Sequence, residues 1–382
     1  MKKEVAIIGV GIHKFGRFEN KSYLELGQEA AQMALGDANL QWRDVQMAYL
    51  SKMYLPATSG ARILKPLGAT GIPICDIEAA CASGGIALSQ AILAIEAGAF
   101  DIVMVLGAEK MPRGFMDPSM IYEKWQIQMG MDTNPSYWAM RARRHMHEYG
   151  TTDLHLAQVA FKNHKNSVHN PYAMYRKEFG IEEIMNSPLV CDPIHLLEIC
   201  APNEGAAAVI LCPKEKAAKF TSKPITIAAC VPTNAYYSAD FRAPVDSLSA
   251  KAANPGPTEV AAKKAYEQAG IGPREINCFE IQDTDAFCEI EIYEQLGLCR
   301  TGDGGRLLDE GVTEIGGKYP VNTSGGLISK GEPIGASHLG QIFEIVTQLR
   351  GEAGKRQVPK AKVGLAHVLG AGNNCAVTIL KA

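Results

Sequence analysis

The sequence predicts an α/β protein built of two similar halves with largely parallel or mixed sheets, and three observations carry that prediction. One pattern is written twice: ANLQWRDVQMAYLS, Ala38 to Ser51, and AGIGPREINCFEIQ, Ala269 to Gln282, both read small residue, turn, arginine, acid, then an apolar run. GGIALSQAILAIEAG from Gly84 and GASHLGQIFEIVTQLRG from Gly335 both read as amphipathic helices, with Leu339, Ile342, Phe343, Val346 and Leu349 at helical spacing in the second. Each helix leads into a continuous apolar run, DIVMVLGAE or KVGLAHVLGAG, of the kind that forms strands covered on both faces. Alternation of strand and helix in both halves is what an α/β architecture requires.

In chain order, the start MKKEVAIIGVGIHKFG has a short, glycine-broken apolar run with no small-residue cleavage site after it, and no later segment is apolar for long enough to span a bilayer. A cytoplasmic protein without membrane contact is therefore expected. The alanine-rich segment before Ala38 opens with Ser22 and Glu25 in a capping-box pattern, and the one before Ala269 opens after the breaker run NPGP with Thr258 as cap. From MPRGFMDPSM onward, about residues 113–185 have no counterpart in the second half and read as an inserted loop domain over the substrate. The halves are then 1–215, including that insertion, and 222–382.

With 382 residues, 47% hydrophobic and 21% charged, the chain can bury a large core. A formal net charge of -3 with interspersed signs gives no footprint for nucleic acid or anionic lipid. Ten cysteines without CxxC pairs argue against a disulfide framework and against a metal site in this chain, so most are expected as small buried hydrophobes.

One cysteine stands apart. EAACASGGIAL places Cys81 after a strand-like run and immediately before a helix, where the macrodipole and unpaired N–H groups favour thiolate and can cradle an oxyanion. That suits acyl transfer, although a buried cysteine in a small-residue packing site fits the same spacing. In SGGLISKGEPIGAS a lone carboxylate, Glu332, stands between Gly331 and Pro333 among small residues. GVGIHKFG lacks a third glycine in register for a dinucleotide loop, and His164 and His169 have no metal-ligand spacing.

ACASGGIAL, GGLISKGEPIGAS and AHVLGAGNN, in that order, resemble motifs of the thiolase superfamily, nearest its branch of sterol-carrier-protein and archaeal acetoacetyl-CoA thiolases. VAIIGVGIHKFGRF, EYGTTDLHLAQVAFKNHKNSVHNPYA and NEGAAAVIL extend the resemblance over nearly the whole chain. It implies the thiolase fold: two stacked halves with mixed five-stranded sheets and an inserted loop domain, in a homodimer. It also implies that Cys81 attacks a 3-ketoacyl-CoA, is acylated as the carbon–carbon bond breaks to release an enolate, and is freed by coenzyme A as co-substrate.

Two groups depart from the family pattern. Its Gly-His-Pro loop has Glu332 in the histidine position, and in QDTDAF Gln282 stands where a histidine usually precedes the retained Asp283. The cysteine that many relatives carry near the final glycine turn is replaced around Val368. A carboxylate cannot donate a hydrogen bond unless protonated, so Glu332 is expected as a base or, with its pKa raised by desolvation, as a neutral donor; a local cap is the alternative. Gln282 is expected to donate to a thioester oxygen, or else to be a satisfied core amide. His367 is the better candidate for the missing imidazole, with a structural role equally open. Asp283, His338 and Gly370 are grouped as oxyanion-hole or substrate-binding residues, Gly370 because it matches a family oxyanion donor. Arg141 and Arg144 would meet CoA phosphates, or form an ion-paired face.

Loss of both histidines with Cys81 retained points to an unusual 3-oxoacyl substrate. The pattern resembles the thiolase subunit that cleaves 2-benzoylsuccinyl-CoA to benzoyl-CoA and succinyl-CoA in anaerobic toluene degradation, in a branch where a small zinc-ribbon and OB-type partner subunit often completes the site. The alternatives are a Claisen-condensing acyltransferase of the same fold, of acetoacetyl-CoA thiolase or ketoacyl synthase type, and a catalytically silent scaffold.

Overall fold

The computed structural model describes residues 3–234 and 255–382. In the first half β1 (Val5–Gly16), α1 (Tyr23–Asp37), β2 (Met47–Ser51), α2 (Ser59–Leu64), β3 (Ile74–Ile77), α3 (Ser83–Glu96) and β4 (Val103–Lys110) follow one another. Four helices intervene, α4 (Lys124–Gln128), α5 (Asn134–Tyr149), α6 (Asp153–Ser167) and α7 (Ile181–Met185), with a ribbon of β5 (Leu189–Cys191) and β6 (Ile194–His195). The chain then returns as β7 (Glu204–Pro213) and the short α8 (Lys214–Ala217). The second half runs β8 (Ile225–Thr233), α9 (Pro257–Ala269), β9 (Cys278–Glu280), α10 (Ala286–Gln295), α11 (Gly304–Asp309), α12 (Ile334–Arg350), β10 (Val363–Leu369) and β11 (Cys375–Lys381).

The strands join in the order β3-β2-β4-β7-β1-β8-β11-β10-β9. Five belong to the first half, where β2 runs parallel to β3 and β4 while β7 runs antiparallel to β4 and β1. Among the described residues the named strands of the two halves pair where Ala6 and Ile7 face Thr226 and Ile225. In the second half the fifth place holds a single parallel bridge, Phe279 to Val321, in place of a full strand. Pro320 has no N–H to extend the ladder, and three residues beyond the bridge the Ser324 N–H turns to the Glu280 carboxylate, 2.9 Å away, in place of a backbone carbonyl.

Strand periodicity sorts the core into layers. Val5 and Ile7 of β1, Val103 and Val105 of β4, and Val209 and Leu211 of β7 face inward onto Leu88 and Ile92 of α3 and Leu339, Ile342 and Val346 of α12. The alternate residues Ala6, Ile8, Met104, Leu106 and Ile210 face outward onto Ala30 and Ala34 of α1. Phe279, Leu365, Val377 and Ile379 likewise meet α9 and α10 on the far side of the second half. Helices α3 and α12 thus lie between the two halves, each touching strands of both. The glycines of GVGIHKFG serve packing: a Cβ on Gly11 would come 2.5 Å from the Ala34 nitrogen, so its absence lets α1 lie close on β1.

The capping box of α1 is present, with the Ser22 N–H donating to the Glu25 carboxylate at 2.8 Å. At α9 the expectation needs correction. The N-cap is Gly256, whose N–H donates to Glu259 at 2.7 Å, and Thr258 lies inside the helix with its hydroxyl turned to His367. Asn254 of the breaker run lies outside the described residues. Helices α5 and α6 of the intervening segment pack on α10, and α6 also lies on the turn Gly326–Lys330 that leads to Glu332. Among the described residues no helix is long and apolar enough to cross a membrane.

Candidate active site where the two central helices begin

Cys81 lies in a tight turn, Ala80–Ala82, between β3 and α3. Ala80 adopts φ 50°, a left-handed conformation uncommon for a residue with a Cβ, and the surroundings hold it there. Its N–H donates to the Glu78 carboxylate at 2.8 Å, while Ser83 Oγ accepts from the Ala79 N–H at 2.8 Å and donates to the Ala80 carbonyl at 2.6 Å. The sulfur therefore sits at the mouth of α3, next to the backbone N–H groups of Cys81 itself and of Ala371.

Glu332 reaches the same point from the second half. Asp283 accepts the N–H groups of Leu327 at 2.7 Å and Ile328 at 3.1 Å, which fixes the turn Gly326–Lys330. Gly331 then takes φ 114°, and Glu332 forms a parallel bridge with Pro202, its N–H donating to the Ala201 carbonyl at 3.0 Å. The carboxylate is buried against the thiols of Cys81 and Cys200 and the side-chain amide of Gln282, whose Nε2 donates at 2.7 Å. Burial raises its pKa above the ordinary value, while hydrogen bonds from Cys200, Gln282 and Cys81 pull it back.

The Cys81 thiol is pushed well above its usual pKa by burial and by the Glu332 charge, against the pull of the two N–H groups. The resting pair is thus a thiol beside a carboxylate. Passing the proton from sulfur to Glu332 leaves a thiolate beside a neutral acid, so the pair carries one negative charge before and after. A cysteine–histidine pair would separate charge at this step; here the charge only moves, toward N–H donors able to hold it.

Of the residues expected at the site, Cys81, Glu332 and Gln282 meet. Both Gln282 N–H groups are engaged, one by Glu332 and one by Thr284 Oγ1 at 3.1 Å, so the amide steadies the carboxylate in place of a thioester oxygen. His367 is withdrawn from the sulfur: its ring accepts the Gln282 backbone N–H at 3.5 Å and pairs with Thr258 at 3.0 Å, and burial lowers its pKa to about 3. His338, on α12, faces β11, paired with Gln341 at 2.9 Å and Thr378 at 3.3 Å. Asp283 supports the turn before Glu332 with both its oxygens and faces no oxyanion. The Gly370 N–H donates to the Asn374 carbonyl at 2.7 Å, so the N–H at the sulfur is that of Ala371. Gly370 contributes by having no side chain: a Cβ there would lie 2.8 Å from the Cys81 nitrogen.

Arg141 and Arg144 line a cavity of about 470 Å³ together with Tyr137 and Trp138 of α5 and with Leu369 and Asn373, which flank the Ala371 turn. Each arginine is already ion-paired, Arg141 with Glu291 and Arg144 with Glu148, so neither stands as a dedicated phosphate site. Sequence reasoning missed Cys200 and Ala371. Cys200 stands three residues before NEGAAAVIL, but nothing in that spacing ties it to Cys81. It also missed Tyr54, whose buried hydroxyl has no partner and which packs with Met53, Met111, Met116 and Val368 around Cys81.

A cysteine at a helix mouth, a carboxylate to take its proton and backbone N–H groups to hold an oxyanion define an enzyme of acyl transfer. Residues 5–215 match the family described as Thiolase, N-terminal domain, and residues 248–382 match Thiolase C-terminal domain-like, so the chain belongs to the thiolase family. It is 38% identical to the acetyl-CoA acetyltransferase of Methanothermobacter thermautotrophicus, over 99% of each chain. It is 38% identical to sterol carrier protein 2 of Bos taurus, over 100% of this chain and 73% of that protein. With the benzoylsuccinyl-CoA thiolase subunit BbsB of Thauera aromatica it shares 35% identity over 97% of this chain and 96% of that one. Among solved structures the Ltp2-ChsH2(DUF35) aldolase superposes with a TM-score of 0.87 at 25% identity, over 99% of this chain and 98% of that one. Human mitochondrial 3-ketoacyl-CoA thiolase in complex with CoA superposes at 0.74 with 14% identity, over 100% and 98%. The chain is an acyltransferase with the thiolase fold, and thiolases use CoA as co-substrate.

Proposed function

We propose that the chain cleaves a 3-oxoacyl-CoA with CoA, through an acyl group carried on Cys81, and that Glu332 is the base for both half-reactions. Glu332 takes the Cys81 proton as sulfur attacks the 3-keto carbon. The N–H groups of Cys81 and Ala371 hold the resulting oxyanion, and its collapse breaks the bond between C2 and C3, leaving the acyl group on sulfur and an electron pair on C2 that takes up a proton, with Glu332 returned to its ionised form. In the second half, Glu332 takes the proton of CoA, whose thiolate displaces Cys81 from the acyl carbon, and Glu332 returns that proton to the departing Cys81 sulfur. The observation that carries this reading is the meeting of Cys81, Glu332 and the Ala371 N–H at one point.

For the substrate, a branched aryl 3-oxoacyl-CoA of the 2-benzoylsuccinyl-CoA type, yielding benzoyl-CoA and succinyl-CoA, is favoured by the 35% identity to BbsB and by the thioether and aromatic side chains around Cys81. Of the two cavity arginines, Arg144 is the one able to turn to an anionic arm, because its exposed pair with Glu148 is only weakly stabilising. Condensation is the same chemistry run backwards, and the acetyl-CoA acetyltransferase relative keeps that direction open. A silent scaffold is disfavoured by the intact thiol–carboxylate pair. We further propose a homodimer joined by a small zinc-ribbon and OB-type partner; BbsB is a thiolase subunit, and the aldolase Ltp2-ChsH2(DUF35) is a two-component assembly.

The test is acylation followed by intact mass: benzoyl-CoA or acetyl-CoA should load one acyl group, mapped to Cys81, and added CoA should remove it. Co-purification from the native host tests the partner. Failure of both acyl-CoA esters to load Cys81 would overturn the reading.

A further inference from the structure

Breaking the bond between C2 and C3 leaves an electron pair on C2, and that carbon must receive a proton before the product departs. Glu332 holds the proton from Cys81, but its other neighbour is a second thiol. Cys200 lies against the same carboxylate and close enough to Cys81 for the two sulfurs to interact electrostatically. The backbone fixes it there: its N–H donates to the Thr284 carbonyl at 2.9 Å, and Ala201 and Pro202, next in the chain, pair with Glu332. Exposure separates these two thiols from the fully enclosed ones. Cys81 is 9% exposed and Cys200 8%, whereas Cys212, Cys278, Cys288 and Cys375 are each 0% exposed. Of the other candidate donors, the Gln282 amide is engaged by Glu332 and Thr284, His338 by Gln341 and Thr378, and His367 by Thr258, which leaves the Tyr54 hydroxyl as the competing donor.

Resting on the reading of Cys81 above, we propose that Cys200 is the second catalytic residue, which gives a proton to C2 of the leaving acyl-CoA enolate and, in the condensing direction, removes it. The protons balance. Cys81 gives its proton to Glu332; after the carbon–carbon bond breaks, Cys200 gives its own to C2, and Glu332 returns the stored proton to the Cys200 thiolate. Cys81 ends acylated, the proton that Cys200 first carried ends on C2, the Cys81 proton ends on Cys200, and Glu332 and Cys200 return to their starting states. Burial and the Glu332 charge keep Cys200 a neutral thiol at rest, which is the form that can donate. Release of the acyl group by CoA needs Glu332 alone, so the two thiols divide the work.

That division gives the test. The wild-type chain, with whatever partner co-purifies, is compared with C200A, C200S and Y54F in two assays: acyl loading of Cys81 from acetyl-CoA or benzoyl-CoA, and exchange of the α-protons of acetyl-CoA and succinyl-CoA in D2O, read by mass spectrometry. C200A and C200S should load Cys81 within about threefold of wild type yet lose α-proton exchange by about a hundredfold or more, the range of a missing general acid–base. Exchange within threefold of wild type in C200A, parallel loss of loading and exchange in both Cys200 variants, or loss of exchange in Y54F alone overturns the proposal. A wild-type chain that neither loads nor exchanges overturns the function of Cys81 as well.

Discussion

The mouths of α3 and α12 occupy the same place in the two halves and have been put to opposite uses. Each of the reacting side chains, Cys81 and Glu332, stands three residues before a glycine that lies in the first turn of its helix, Gly84 or Gly335. Each follows a residue in the left-handed region, Ala80 with φ 50° or Gly331 with φ 114°. Beyond that the two diverge. The α3 mouth is tightened by Ser83 and offers N–H groups to a sulfur, whereas the α12 mouth has Pro333 as N-cap with no side-chain bond and leans on Asp283 and Pro202 from outside the helix. The two positions meet between the halves, and in the function proposed above the loops around them give one the nucleophile and the other the base.

If the two mouths differ in this way, their residues are not interchangeable. C81S should retain acyl-CoA binding and lose turnover by about 10⁴-fold or more, because a hydroxyl is a far poorer nucleophile. The exchanged variant C81E/E332C, assayed beside it, should be equally inactive, since the N–H groups of Cys81 and Ala371 face only the first position. Turnover restored by the exchange would erase the distinction. E332Q should lower turnover by about 10²- to 10⁴-fold, the scale of a lost general base, with acyl-CoA binding unchanged.

The pH profile of kcat/KM sharpens the same point. Glu332 must be ionised to accept a proton and its pKa lies above the ordinary value of 4.5, so activity should fall on acidification at a higher pH than an exposed carboxylate would allow. The stability sign is opposite. A folded pKa above the unfolded one means that this group's contribution is complete below the unfolded pKa and lost as pH rises through the folded value. Denaturant unfolding of E332Q should therefore show less loss of stability toward alkaline pH than wild type, and an identical pH slope would contradict the burial of an ionisable Glu332.

Legibility in the sequence followed the range of the interaction. The halves were readable because period-2 and period-3.6 patterns are local, and Ala6 against Ile7 or Leu339 against Ile342 already names the face each occupies. Cys81 and Glu332 were readable because both interrupt runs of small residues just before a helix. Gln282 was readable as a position and not as a role, since its partner proved to be Glu332, fifty positions away. Pattern alone did not separate a structural histidine from a catalytic one. His338 and His367 stand beside site motifs, yet both rings are buried against Thr378 and Thr258, and desolvation keeps them neutral. Cys200 was invisible because only the fold brings residue 200 to residues 81 and 332.

The helices behind the two mouths should also respond unequally. Leu339 of α12 is fully buried against Gly84 of α3, where a Cβ on the glycine would meet its Cγ at 3.5 Å, so no side chain there can expand into a vacated space. L339A should cost about 2–5 kcal/mol in denaturant unfolding, and a loss under 1 kcal/mol would mean that the central layer relaxes around the cavity.

S83A probes the feature that α3 has and α12 lacks. Its hydroxyl bridges the Ala79 N–H and the Ala80 carbonyl, so removal leaves the Ala79 N–H without that partner, while the Ala80 carbonyl keeps the Ser83 backbone N–H. The expected loss is about 1 kcal/mol, as for a helix N-cap, because the Glu78 carboxylate still holds the Ala80 N–H. The decisive readout is Cys81 alkylation by iodoacetamide. With the left-handed Ala80 less restrained, the sulfur should wander from the Cys81 and Ala371 N–H groups and its rate should fall, while G335A, altering the other mouth, should change Cys81 alkylation only to the extent that it moves Glu332. An S83A chain alkylated at the wild-type rate would mean that the backbone turn alone, without its hydroxyl brace, positions the nucleophile.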